Sequence, residues 1–326
     1  MGAIRDFMDK HYLHFNARET VWAARAWEDH LAKGGKMLVT LAGAMSTGEL
    51  GIILARMIRA GKVHAISCTG ANLEEDVFNL LAHQEYEIIP SWRELSVADE
   101  VALYHRGMNR VTDTCIPETV MRHLEERLVG IWREAAERGE RYTPSEILFK
   151  VLDDATLARH YQIDPAHSWV LAAKEAGIPV FVPGWEDSTT GNIFAASVMR
   201  GNVKHHLCVK TGTEQFQQLM EWYIANNGRD EGKPSIGFFQ IGGGIAGDFA
   251  ICAVPCMIQD MEMDVPFWGY FAQITDAQPS YGGYSGAPAN EKVTWGKLEG
   301  AATPRFNINS DAALVAPLIF AYVLGD

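Results

Sequence analysis

The chain has little positive charge: 28 lysines and arginines stand against 41 acids, a net charge of −13 over 326 residues. That balance argues against a nucleic-acid or anionic-membrane partner and favours cationic ligands. Cysteine is sparse as well. Cys68, Cys115, Cys208, Cys252 and Cys256 are scattered and odd in number, which argues against a disulfide framework. The CAVPC spacing of the last two is not that of a C-x-x-C metal or redox pair. Long apolar runs are missing too. The opening residues, MGAIRDFMDKHYLHF, hold no signal-type apolar core, and the longest run, AALVAPLIFAYVLG, is too short to span a bilayer. A cytoplasmic protein is the expectation, with no nucleic acid and no membrane among its partners. No metal is expected: His205 and His206 are adjacent, so their side chains point apart, and no third ligand is evident. No repeat, low-complexity tract or linker divides the chain. Residues 1–326 therefore read as a single domain with a helical N-terminal segment over 1–35.

What is present is an alternation of short apolar runs and helical patterns, in a chain that is 48% hydrophobic and has ample core. Thr20 to Lys33 predicts a helix stopped by Gly34-Gly35. Met37 to Ala42 predicts a strand, followed by Gly43, a Ser46-Thr47-Gly48 turn and a helix from Glu49 to Ala60. The same grammar returns at Val63 to Cys68, where Thr69 to Asn72 and the acids Glu74, Glu75 and Asp76 open another helix. Ser91 to about Ala176 reads as mostly helical. Further strands are predicted at Ile178 to Val182, Ile236 to Ile241 and Phe267 to Thr275, each running into a polar loop, and a last helix at Asp311 to Leu324. The fold class that follows is α/β: a doubly wound, mostly parallel sheet with helices on both faces, Rossmann-like. The glycine-rich loops all follow strand C-termini, the edge where such sheets bind ligands. Among them, Gly242 to Gly247 fits G-x-G-x-x-G, whose glycines let backbone N–H groups approach a pyrophosphate. By itself that match is a weak signal.

The stretch with chemistry in it is SGAPANEKVTWGK, Ser285 to Lys297. A lysine two residues after a tryptophan, in a segment rich in glycine and alanine, has its ammonium partly desolvated, which frees the amine as a nucleophile toward imine and carbonyl carbons. The plain alternative is a surface lysine beside a core tryptophan.

Ordered pieces along nearly the whole chain carry a further pattern: STG at Ser46, TGANLEED from Thr69, GMNRV from Gly107, RYTPSEI from Arg141, GIPVFVP from Gly177, IGGG from Ile241, SGA at Ser285, EKVTWGK from Glu291 and SDAAL from Ser310. With these the sequence resembles the deoxyhypusine synthase family. The resemblance implies an NAD-dependent transferase of aminobutyl groups, in which a polyamine is oxidised to an imine and its aminobutyl part is held on a lysine, here Lys297. It places dinucleotide contacts at Ser46, Thr47, Thr69, Gly70, Glu74, Glu75, Asp187, Gly243, Gly244, Asp276, Ala277, Asp311 and Ala312, the acids taking ribose hydroxyls. Glu291 and Trp295 match the family's amine-binding carboxylate and wall tryptophan. A homotetramer with sites between paired subunits is also implied.

The departures are as informative. Where the family has a basic residue and a proton-transferring histidine, this chain has Gly247 and Asp248. The substrate-binding positions are Asn192 in place of an aspartate, Gln273 in place of a tyrosine and Tyr284 in place of an aspartate, beside Ser285 and Gly286; Gly43 replaces an asparagine of the cofactor pocket. Asp248 is therefore the candidate acid–base group. Altered amine contacts beside the matching lysine lead to an aminobutyl transferase whose acceptor is a small amine such as putrescine, giving homospermidine from a polyamine donor such as spermidine. The other readings are true deoxyhypusine synthesis on a lysine of a translation initiation factor, and an inactive NAD-binding scaffold.

Overall fold

Five buried residues, MLVTL, open the main sheet as β1 (Met37–Leu41). Their alternation serves two cores at once: Val39 and Leu41 pack into one apolar cluster and Leu38 into another on the opposite face. The computed structural model describes residues 2–326. The remaining strands are β2 (Ala65–Cys68), β3 (Glu87–Ile88), β4 (Met108–Val111), β5 (Thr114–Pro117), β6 (Val180–Phe181), β7 (Gly237–Ile241), β8 (Tyr270–Thr275) and β9 (Arg305–Asn309). Six of them form one sheet in the order β6-β2-β1-β7-β8-β9, with every pairing parallel. Counted along the chain this is the 3-2-1-4-5-6 order of dinucleotide-binding folds.

Both faces are covered, as the apolar strands require. On one side the helices Phe15–Ala32, Gly51–Arg59, Gly70–Ala82 and Ala312–Leu324 close the larger core, where the Trp27 ring meets Phe239 at 4.8 Å and Phe320 at 5.9 Å. On the other, Gly212–Asn226 and Gly244–Ile251 bury Leu219, Tyr223, Ala250 and Ile251 against Phe238 and Phe271.

The doubly wound expectation holds, with three additions. The region from Ser91 to Ala176 does hold helices, Val97–His105, Val120–Arg138, Pro144–Leu152 and Trp169–Ala176, but β4 and β5 form a hairpin that joins β3 in a small antiparallel sheet. Its strands, four residues each, are too short to show a period, and its turn uses a left-handed Thr112 (φ 53°) that marks no obvious break in sequence. The edge strand β9, RFNIN, is also new, because Arg305, Asn307 and Asn309 leave it only two apolar positions. A helix at Ala3–His11 precedes the first expected one. Among the described residues no helix is long and apolar enough to cross a membrane, and no cluster of His, Cys, Asp and Glu could hold a metal.

The sheet's strand order reverses between β1 and β7, and in such folds the crevice at that reversal takes the ligand. Here the loops touch. A Cβ on Gly242, which sits at φ 71°, would lie 2.9 Å from Ala42 Cβ, so only glycine lets β7 end this close to the end of β1.

Candidate active site

Beyond β7 the chain turns through Gly242 and Gly244, both at positive φ, into the helix Gly244–Ile251, whose first turn no side chain caps. Asp248 rides on this helix. Lys297 arrives from the other side, held by its own carbonyl accepting the Trp268 N–H at 3.2 Å just before β8. The result is an ion pair, Lys297 Nζ to Asp248 Oδ1 at 3.5 Å, in which the lysine is 6% exposed and the acid side chain opens to solvent.

Tyr284 forms the floor of this pair. Its ring centroid lies 4.9 Å from Lys297 Nζ and 4.0 Å from Lys292 Nζ, and its hydroxyl donates to Gln240 Oε1 at 2.7 Å. Burial, with Asp248 and Cys252 nearby, pushes the phenol well above its ordinary pKa, so it stays a donor. Gly247 makes room for it: a Cβ there would lie 3.2 Å from the Tyr284 ring and 3.1 Å from Gln240 Oε1. Gln273 works from beneath. It is buried and donates to the carbonyls of Ser285 and Ala287 at 3.4 and 3.0 Å and to Asn307 Oδ1 at 2.8 Å, so it holds the Ser285–Gly286 loop rather than facing a substrate. That loop leans on the glycine turn, where a Cβ on Gly243 would lie 2.4 Å from Ser285 Cβ.

Beside these residues runs a cleft of about 900 Å³ with apolar walls, Phe216, Ile245 and Phe249, and with Asp248, Cys252 and Tyr284 at its inner side. Asn192 is turned away from it and donates to the Glu186 carbonyl at 2.8 Å. Trp295 is near Lys297, 5.9 Å from ring centroid to Nζ, but is 63% exposed. Glu291 is exposed at the start of its helix and makes no hydrogen bond through its carboxylate among the described residues.

The other loops line the same sheet edge and are knitted together. Ser46 donates to the Asn72 carbonyl at 2.7 Å, and Asn72 Nδ2 reaches the Gly43 carbonyl at 2.8 Å. Thr69 caps its helix, and its hydroxyl donates to Gly43 at 2.7 Å. Gly70 has no room for a side chain, since a Cβ would lie 2.5 Å from Ser188 Cβ. Glu74 and Glu75 are already engaged: Glu74 accepts the N–H groups of Thr189 and Thr190 at 2.9 and 2.8 Å, and Glu75 accepts the Thr47 hydroxyl. Burial raises Glu75 to about 7. Asp187 and Asp276 are exposed at this edge, and neither carboxylate accepts a hydrogen bond among the described residues; Asp311 caps the last helix by accepting the Ala313 N–H at 2.7 Å, with Ala312 opening that helix and Ala277 held by Thr275 Oγ1 at 3.0 Å.

Lys292, Gln240 and Cys252 belong to the site and were not singled out from sequence. Lys292 lies in the same EKVTWGK piece, but nothing in its spacing says that it is buried. Cys252 Sγ lies 3.7 Å from Asp248 Oδ1, and burial keeps its thiol raised.

A 3-2-1-4-5-6 parallel sheet with a glycine turn at its reversal and a buried lysine beside it defines an α/β protein whose candidate site lies at the strand C-termini. A sequence profile described as deoxyhypusine synthase matches residues 6–323, and the chain belongs to the deoxyhypusine synthase family. It is 28% identical over 98% of its length to the "Deoxyhypusine synthase-like protein" of Nostoc punctiforme, covering 79% of that protein. To the "Probable deoxyhypusine synthase 1" of Archaeoglobus fulgidus it is 26% identical, covering 95% of this chain and 90% of the relative. A crystal structure from Entamoeba histolytica, provisionally assigned as a deoxyhypusine synthase, shares the fold at a TM-score of 0.58 and 12% identity, over 98% of this chain and 92% of that one.

Proposed function

We propose that the protein is an NAD-dependent transferase that carries an aminobutyl group as an imine on Lys297. The observation behind this reading is the placement of Lys297: a nearly inaccessible amine, 3.5 Å from one carboxylate, at the ligand edge of a dinucleotide-type sheet. The crevice suits NAD. Gly243 and Gly244 would bring backbone N–H groups and a helix N-terminus to the pyrophosphate, and the exposed Asp187, Asp276 and Asp311 would take ribose hydroxyls. Glu74 and Glu75, with Ser46, Thr47, Thr69 and Gly70, would shape the loops around it. When bound, NAD supplies the redox chemistry, oxidising the donor amine to an imine and later returning the electrons to the product imine.

The chain's own residues do the rest. Lys297 offers its amine to the donor's imine carbon, Asp248 takes and returns the proton that a histidine handles in the family, and the buried setting keeps water from the imine. The positions that would hold a polyamine's other ammonium groups, Asn192, Gln273 and Tyr284, are neutral and engaged elsewhere. A small acceptor such as putrescine, with a spermidine-type donor, fits that pocket better than a long one. The second reading, transfer to a lysine on a translation initiation factor, is supported by the volume of the cleft, about 900 Å³. Trp295, exposed beside Lys297, would be available for a second copy to cover in a tetramer.

Protein incubated with NAD and spermidine, with and without putrescine, and then reduced with borohydride should gain mass on the peptide containing Lys297. No adduct with any polyamine, together with no reduction of NAD, overturns the reading. Homospermidine in the putrescine sample selects the small-amine acceptor; labelling of the purified factor without homospermidine selects the other.

A further inference from the structure

Lys292 is 2% exposed, more deeply buried than Lys297, and no carboxylate lies within salt-bridge distance of its ammonium among the described residues. A cation in that position is held against its own desolvation, which a methionine of similar length would not incur. The hydrogen bond and the cation–π contact of its ammonium are both with Tyr284. The ammonium sits 4.0 Å from the ring centroid and donates to the Tyr284 carbonyl at 2.9 Å, while Lys297 approaches the same ring at 4.9 Å. Two lysines thus share one aromatic ring, with one carboxylate, Asp248, paired to the outer of them.

We infer that Lys292 is a positioning residue for the Lys297 chemistry: it clamps Tyr284 beneath the reactive amine, and its charge opposes a second charge at Lys297. The inference rests on the reading that Lys297 carries the imine. Burial and then the Lys297 ammonium press Lys292 itself down to about 8, against the opposing pull of Glu291, Asp248 and the Cys252 thiol; the Tyr284 hydroxyl faces Gln240 instead.

Imine transfer needs this. The Lys297 amine, with a free lone pair, adds to the protonated imine carbon of the oxidised donor; a proton passes from Lys297 nitrogen to the donor's nitrogen, the C–N bond to the leaving diamine breaks, and a protonated imine on Lys297 remains. No proton or electron is gained or lost overall, so what the site must supply is the unprotonated amine at the start. The Lys292 ammonium on the shared ring opposes a second cation beside it, at a site where the family relies on a histidine that this chain lacks.

The test needs neither NAD nor a polyamine. Wild type, Lys292→Met and Lys292→Arg are treated with butanal and cyanoborohydride between pH 6 and 10, and alkylation at Lys297 is followed by peptide mass. In Lys292→Met the Lys297 profile should move up by about one unit, with alkylation at pH 7.5 falling about tenfold, whereas Lys292→Arg, which keeps the charge, should follow wild type. If the methionine variant does not fold, Lys292→Gln replaces it, and thermal unfolding is recorded for each. A Lys292→Met profile superimposable on wild type overturns the inference, and so does an equal loss of rate at every pH, which would mark Lys292 as packing only. Absence of NAD reduction with an unchanged butanal result would instead count against the transferase reading alone.

Discussion

Lys297 and Asp248 meet across two unrelated parts of the chain, Nζ to Oδ1 at 3.5 Å, with the lysine side chain 7% exposed and the acid 51%. The acid reaches solvent and the amine does not, so a proton taken from the lysine has an exit through the carboxylate.

Lys297→Ala should retain NAD binding and lose both turnover and the borohydride-trapped adduct, because the side chain contributes nothing to the glycine turn or to the acid-lined edge. Calorimetric titration with NAD beside a turnover assay measures both. A variant with full turnover would refute the covalent role.

Asp248→Asn keeps the shape of the pair and removes its proton acceptor. Turnover should fall by about 10²–10⁴-fold, the usual range for a positioned acid–base group. Steady-state rates at saturating donor, with the Lys297 adduct quantified in parallel, separate a slowed step from a lost one.

Gly243→Ala would place its Cβ 2.4 Å from that of Ser285, and neither the glycine turn nor the Ser285–Gly286 loop can yield without moving the other. Overpacking of this kind costs about 1–3 kcal/mol. Weaker NAD binding by at least about tenfold is expected at an unaltered far-ultraviolet spectrum, read by fluorescence titration.

Glu75 supplies a pH signature. Its carboxyl is raised by burial to about 7 in the fold, against 4.5 when unperturbed. A raised folded pKa means that the folded state holds the proton longer than the unfolded state, so this contribution is complete below about pH 4.5 and is lost as pH rises toward 7. The loss amounts to about 3 kcal/mol at about 1.4 kcal/mol per unit. Denaturant unfolding of wild type and Glu75→Gln from pH 5 to 7.5 should show wild type losing stability relative to the variant as pH increases. A constant difference across that range contradicts the buried, protonated carboxyl.

Much of the architecture was legible because its strands are short apolar runs bounded by glycine: Met37–Leu41, Gly237–Ile241 and Tyr270–Thr275 each stand out in sequence and each lies in the sheet. The β4–β5 hairpin and β9 did not stand out, since strands of four or five residues interrupted by polar side chains are too short to display a period. In the site, Lys297 and Asp248 were legible through the pieces around them. Lys292 was not, because a lysine in a helical turn is ordinarily solvated, and only packing against Tyr284 makes it otherwise.

Lys297 was singled out through the family resemblance of the pieces around it; the order of polar and apolar residues by itself determined that this chain forms a parallel α/β sheet and that its loops of interest follow the strands. These are local properties, set by side-chain period and by glycine. Tertiary structure decided which acids remain available: Glu74 and Glu75 are drawn into holding neighbouring loops, whereas Asp187 and Asp276 stay open. It also decided that Tyr284 stacks beneath two amines and fills the space left by Gly247. Burial and partner choice depend on segments far apart in the chain, and no local pattern encodes them.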